Sequence, residues 1–178
     1  MLSNVTKDLF RIGRAASIAA VLVALAGCQV KPLYAVSSPG GASAGQKLAS
    51  IGFSQADDRI EQTVRNELIF LTSGGAGESR QPEYNLTMNV TSFRQNVLDE
   101  QVTNNLIPGR VTLTANYTFT RASDGKVLRT AQRKSTSLLD ISAQEFAEMR
   151  AYRDAEDRAA KQLAEFIRGD IATTLGRQ

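Results

Sequence analysis

Two stretches of this chain change character at every residue, and that alternation limits the fold more than anything else in it. In "EYNLTMNVTSF", Tyr84, Leu86, Met88 and Val90 alternate with Asn85, Thr87, Asn89 and Thr91. In "RVTLTANYTFT", Val111, Leu113, Ala115, Tyr117 and Phe119 alternate with Thr112, Thr114, Asn116, Thr118 and Thr120. Side chains on a strand point to opposite faces with period two, so each segment reads as a strand with one buried and one polar face. A register slip of one residue would invert both faces. The pattern predicts an antiparallel sheet covered on one side only. Asn and Thr on the other side leave it wet.

The segments around these strands supply the cover. A short strand is predicted around residues 48–53. Asp57 or Asp58 then caps a helix in which Ile60, Val64, Leu68 and Leu71 form one apolar stripe. "SGGAG", residues 73–77, stops it. Pro108 and Gly109 mark a turn before Arg110, and Ser123–Lys126, "SDGK", a hairpin turn into a third long strand over about residues 127–138. Ile141, Ser142, Glu145 and Phe146 have the spacing of a capping box with a hydrophobic staple. Beyond it Tyr152, Ala155, Ala159, Leu163, Phe166, Ile167, Ile171 and Leu175 trace an apolar helical stripe. Arg153, Asp154, Asp157, Arg158, Lys161 and Glu165 cover the opposite side as a solvated face. Asp154–Arg158 and Asp157–Lys161 there stand at i,i+4 spacing, and Gly169 is a point at which the helix can kink or end. The order is β-α-β-β-β-α. This predicts an α+β two-layer sandwich, with two helices packed on one face of a four-stranded, mostly antiparallel sheet.

The front of the chain is built differently. Lys7, Arg11 and Arg14 precede an uncharged apolar run from Ala15 to Ala26 that is too short to span a bilayer and suits a signal peptide. Leu25, Ala26, Gly27 and Cys28 follow, a tetrad resembling the bacterial lipobox. Cys28 is the only cysteine of the chain, so it has no internal disulfide partner. The expectation is cleavage before Cys28 and a diacylglyceryl group and an N-acyl chain (palmitate or similar) on it, several acyl chains together holding a protein stably on a bilayer. Gln29 stands where aspartate would signal inner-membrane retention, which favours the outer membrane. Residues 35–46, "AVSSPGGASAGQ", read as a flexible tether or as an ordered loop. The chain thus divides into a cleaved signal peptide at 1–27, a lipidated N-terminus and tether at 28–46, and one α+β domain at 47–178.

Cleavage leaves 151 of the 178 residues, enough for one domain with a real core. The discarded peptide carries three of the 21 basic and one of the 18 acidic residues, so the mature chain is close to neutral and loses the main argument for nucleic-acid binding. There is no histidine to act as a neutral-pH base or zinc ligand, and the one thiol is expected to be acylated. No catalytic residue, metal or further cofactor is expected.

With lipobox, tether and β-α-β-β-β-α order in place, the chain resembles the LPS-assembly lipoprotein family LptE in its alphaproteobacterial form. Cys28, Pro32, Leu33 and Tyr34 look like that branch's Cys-x-x-x-Pro-Leu-Tyr start, and "YRDAEDRAAKQLAEFI", residues 152–167, looks like the family's C-terminal helix. The resemblance implies a non-enzymatic lipoprotein on the periplasmic leaflet of the outer membrane. It would plug an LptD-type β-barrel, assist its assembly and contact lipopolysaccharide on its way to the cell surface. Polar Thr/Asn strand faces suit a wet barrel lumen, although a sheet face simply open to water would look the same. For the anionic glycolipid, Arg110, Arg121, Arg129, Arg133 and Lys134 are the candidate contacts, since guanidinium matches phosphate well. Charges that merely guard an edge strand would look alike. An accessory lipoprotein of an envelope ABC-type lipid transporter is the alternative, and a carboxylate-based envelope enzyme ranks last.

Overall fold

In the computed structural model, residues 44–96 and 106–177 are described, all within one compact unit. The expected signal peptide, Cys28 and nearly all of the expected tether lie outside the described residues. Three helices and four strands follow in order: α1 (Ala44–Ala49), β1 (Ile51–Phe53), α2 (Arg59–Ser73), β2 (Tyr84–Asn96), β3 (Leu106–Arg121), β4 (Val127–Ser142) and α3 (Glu145–Leu175). One four-stranded sheet runs β1-β2-β3-β4. β1 is parallel to β2, and the other two pairings are antiparallel. The expected α+β sandwich is the fold, with one short helix added at its start.

That added helix corrects the strand read over residues 48–53. "AGQKLA" has no β-branched residue, and it coils into α1 until Ser50 Oγ donates back to the Lys47 carbonyl at 2.9 Å. Only Ile51–Phe53 remain extended. Leu48 and Ile51 both reach the core, from different elements.

α2 begins where a cap is available. Asp58 is extended, and its Oδ1 accepts the Glu61 N–H at 2.8 Å. Val64 and Leu68 are buried, and Ile60 and Leu71 pack beside them. Gly74, in the left-handed region at φ 63°, ends the helix.

β2 and β3 bury the residues that the alternation singles out, and α3 lies across them. Phe119 stacks on Tyr84 with ring centroids 5.4 Å apart. Against the sheet α3 sets Ala155, Ala159, Ala160 and Ala164 among Leu163, Ile167, Ile171 and Leu175, all buried. The small residues let the helix approach closely while the branched ones fill the space between. Phe166, counted in the apolar stripe, is half-exposed instead.

Three boundaries differ from expectation, and all for the sake of the sheet ladder. Pro108 and Gly109 form no turn and belong to β3, where Gly109 pairs with both Asn96 and Leu139. A Cβ on Gly109 would lie 2.6 Å from Ile141 Cδ1, so a larger residue there would push the Ile141 side chain aside. Pro108 stands at a β3 position whose main-chain N–H direction is away from β4, so its missing N–H costs no β3–β4 bond. β4 continues to Ser142, which pairs with Leu106, so Ser142 stays in the sheet. The helix therefore starts at Glu145 behind Gln144, which makes no side-chain cap. Ser142 Oγ accepts the Gln144 N–H at 3.3 Å, and Phe146 is 80% exposed, so neither the capping box nor the staple forms. At the other end α3 runs through Gly169 to Leu175. The Asp154–Arg158 pair forms as read, whereas Asp157 turns to Arg59 of α2.

Candidate functional site: the open face of the sheet

All described helices that pack on the sheet use one side of it, and the residues between the buried positions define the other. Across β2, β3 and β4 the register sets Thr87, Thr118 and Thr130 in one row, then Asn89, Asn116 and Gln132, then Thr91, Thr114 and Lys134. The next rows are Phe93, Thr112 and Thr136, and then Gln95, Arg110 and Leu138. The face is three strands wide and polar over most of its length.

Many of these side chains hold each other across strands. Gln132 Nε2 donates to Asn116 Oδ1 at 2.8 Å, the Thr112 and Thr136 hydroxyls are 3.1 Å apart, and Arg110 Nη2 donates to Gln95 Oε1 at 2.7 Å. Thr87 and Thr91 hydroxyls donate to the Thr118 and Thr114 carbonyls at 3.4 and 3.5 Å. Such cross-strand pairs fix side-chain direction while leaving lone pairs and protons for water or a partner. A shallow concavity of about 550 Å³ opens over Thr87, Asn89, Asn116, Thr118, Thr130 and Gln132. At the far end Phe93 and Leu138, 64% and 69% exposed, flank Arg110.

The five basic candidates do not form one patch. Arg110 and Lys134 stand on the open face. Arg121 lies at the hairpin, with Nη1 donating to Asp124 Oδ2 at 3.1 Å. Arg129 and Arg133 are on the helix side, where both meet Asp170 of α3: Arg133 Nε lies 2.7 Å from Oδ2 and Arg129 Nη2 3.1 Å from Oδ1. Tyr117 completes this group by donating its hydroxyl to Asp170 Oδ2 at 2.5 Å. Burial together with that bond to Asp170 pushes the Tyr117 phenol up to about 12. Burial works to raise the Asp170 carboxyl too. The bonds from Arg133 and Tyr117 and the two nearby guanidinium charges outweigh it, holding the group below the usual carboxylate range.

A second carboxylate plays the same part near the start of α3. Glu156 is 2% exposed, and Arg94 Nη2 of β2 donates to its Oε1 at 2.7 Å while Arg59 of α2 reaches Oε2. Arg94 also lies over the Tyr152 ring, 4.8 Å from its centroid. Asp170 and Glu156 thus bolt α3 to the sheet, and Glu156 ties in α2 as well. Neither was singled out from the sequence. The signal was there, since Glu156 falls four residues after Tyr152 and four before Ala160, inside the apolar stripe, where an acid needs a partner. Among the described residues no group of acidic or sulfur side chains is arranged to hold a metal ion.

Comparison with known proteins places this geometry. A family model described as LptE, lipopolysaccharide-assembly, matches residues 46–169, which is more than half of the chain. The chain belongs to the LptE family. LptE proteins are non-enzymatic envelope lipoproteins that take part in lipopolysaccharide assembly. A crystal structure of a lipoprotein from Caulobacter crescentus CB15 superposes with a TM-score of 0.62 at 20% identity, covering 76% of this chain and 97% of that one. At this identity the likeness speaks for the fold alone. The minor lipoprotein from Acinetobacter baumannii (TM-score 0.45, 19% identity, 69% of this chain and 88% of that one) and the rare lipoprotein B from Shewanella oneidensis (0.47, 13%, 72% and 96%) are more distant. No curated protein sequence matches the chain.

Proposed function

We propose that this LptE-family chain is an outer-membrane lipoprotein, anchored through acylated Cys28 on the periplasmic leaflet. There it plugs and helps assemble an LptD-type β-barrel that inserts lipopolysaccharide at the cell surface. The observation that carries the reading is the open face: three strands of Thr, Asn and Gln that no described helix covers. A sheet that keeps most of one broad face polar, with Phe93 and Leu138 at its far end, and pre-orders the polar side chains suits the polar interior of a barrel. Binding and positioning are the chain's work, with no catalytic step.

Within this reading Arg110 and Lys134 are the candidates for the phosphates of the glycolipid, because they stand on the open face, and Phe93 and Leu138 beside Arg110 offer apolar contact. Arg121, Arg129 and Arg133 already hold carboxylates of their own chain, so a lipid contact there would have to displace or share them. The test is capture of the full chain from detergent-solubilised outer membrane of its native host, with bound proteins identified by mass spectrometry. A Cys28→Ala variant runs beside it. Recovery of a large export-type barrel in near-equal amount supports the reading. Recovery of inner-membrane transporter subunits without that barrel overturns it in favour of a transporter accessory lipoprotein.

A further inference from the structure

The two edges of the sheet are finished differently. On the β2 side β1 pairs only with Tyr84–Leu86, and α2 and the turn before it take over from there. Ser54 N–H donates to the Leu86 carbonyl at 2.9 Å, Ser54 Oγ accepts the Met88 N–H at 3.4 Å, and buried Glu61 Oε2 accepts the Val90 N–H at 3.0 Å. A carboxylate is thus spent on sealing a strand edge. Past Val90 the described part of that edge runs to Asn96.

β4, 16 residues long, is the other edge. Because Met88 and Val90 point their amides away from β3, Thr87, Asn89 and Thr91 turn theirs toward it. The register then fixes the rest. Residues 131, 133, 135 and 137 of β4 face β3, and Thr130, Gln132, Lys134, Thr136 and Leu138 present their main chain outward. The Leu138 carbonyl agrees, since Arg158 Nη2 meets it from outside at 2.8 Å. Among the described residues nothing comparable meets the outward amides of Thr130, Gln132, Lys134 or Thr136. The Gln132 carbonyl is approached only by neighbouring Arg133 Nη1, at 3.4 Å. The free stretch has no proline, and none of the described residues covers it.

We infer that β4 accepts a fifth strand, an extended, net-acidic segment of a partner polypeptide. Unpaired outward donors and acceptors at the two-residue period of a ladder are met best by another extended main chain. The charge of the stretch selects its sign: Lys134 faces out beside it, Arg129 and Arg133 share the single Asp170 carboxylate and so keep a net positive charge, and the nearest acid of the strand is Asp140. A second copy paired antiparallel about the middle of the free stretch would set Arg133 against Arg133 beside two Lys134 side chains, which like charge disfavours. A closed barrel wall has no free edge to lend, so a barrel partner would supply a loop or a terminal segment. The inference rests on the translocon reading only for the donor's identity.

The test places benzoylphenylalanine at Thr136 of the full chain in its native host, with Thr91 on the β2 column as control. After irradiation the attached peptide is sequenced. The expected result is a Thr136 adduct to one acidic segment that Thr91 does not reach, lowered at least tenfold more by Gln132→Pro, which removes an outward N–H, than by Gln132→Ala, which removes the side chain alone. Lys134→Glu should lower it similarly, and it carries the test alone should Gln132→Pro fail to fold by circular dichroism. No Thr136 adduct, an adduct to a second copy of this chain, or an adduct indifferent to both variants overturns the inference. An acidic donor that belongs to another protein keeps the edge and removes the translocon. A co-purifying barrel with no adduct does the reverse.

Discussion

The two faces of this sheet come from the same strands, residue by residue in alternation, yet they answer to different requirements. The helix side holds Leu, Val, Tyr and Phe against an alanine-rich helix and supplies the stability of the domain. The open side holds Thr, Asn and Gln that bond to one another across strands and bury little. A protein that needed only to stay folded could tolerate many polar residues there. Ordered polar rows over most of the strand length are useful when something must later dock on them. Stability and binding are thereby separated to the two sides of one element, so that each can be altered with the other left standing.

The largest effect should come from the helix side. Phe119 is fully buried and stacked on Tyr84, and Phe119→Ala leaves a cavity the packed helix cannot fill, so it should lose about 3–5 kcal/mol in urea unfolding. A loss under about 1 kcal/mol would mean that the core is looser than its burial implies. Next comes Glu156→Ala. Removing the carboxylate unbolts α3 from both Arg59 and Arg94. Both arginines are half-exposed and regain water, so the loss should be about 1–3 kcal/mol, below that for a fully buried pair.

The third effect depends on pH. Tyr117 is pushed up to about 12 in the folded chain, against about 10 when unfolded. The folded state therefore holds this proton more tightly, and its contribution is fully present below about pH 10 and lost as pH rises toward about 12. Wild type should lose more stability than Tyr117→Phe across that window. Equal slopes would mean that the Tyr117–Asp170 bond does not shape the alkaline limb. On the acid side the sign is opposite: Asp170 lies below its ordinary value, so its contribution is present at neutral pH and lost once pH falls through the folded value.

How much of this was readable beforehand follows from the range of each signal. The buried positions of β2 and β3, the stripe of α2 and its stop at Gly74 depend on local period and local chemistry, and the sequence carries both. Ser142 was misplaced because its capping signal is local, while the pairing with Leu106 that holds it in β4 comes from 36 residues away along the chain. Pro108 and Gly109 carry turn chemistry but sit inside the ladder, where Gly109 pairs with Asn96 and Leu139 and Ile141 crowds its backbone. The basic candidates suffered from the same blindness. Composition put five cations on two strands, but only the register divides them, sending Arg129 and Arg133 to Asp170 and leaving Arg110 and Lys134 on the open face.

The smallest expected effect on stability tests the division most sharply. Thr118 lies in the middle column of the open face, its hydroxyl 3.5 Å from that of Thr130, with the helices on the far side of the sheet. Thr118→Ala removes a weak, solvent-reached bond and a β-branched side chain from a paired strand, and its unfolding free energy should move by no more than about 0.5 kcal/mol. Combined with Asn116→Ala in the next row, it should still leave a cooperatively folding domain, while capture of the outer-membrane partner falls by an order of magnitude because the shared surface has lost two fixed polar contacts. Unchanged capture would return the open face to being a sheet surface that merely meets water. A collapse in stability instead would show that the polar rows bear weight in the fold, and that the two faces are not independent after all.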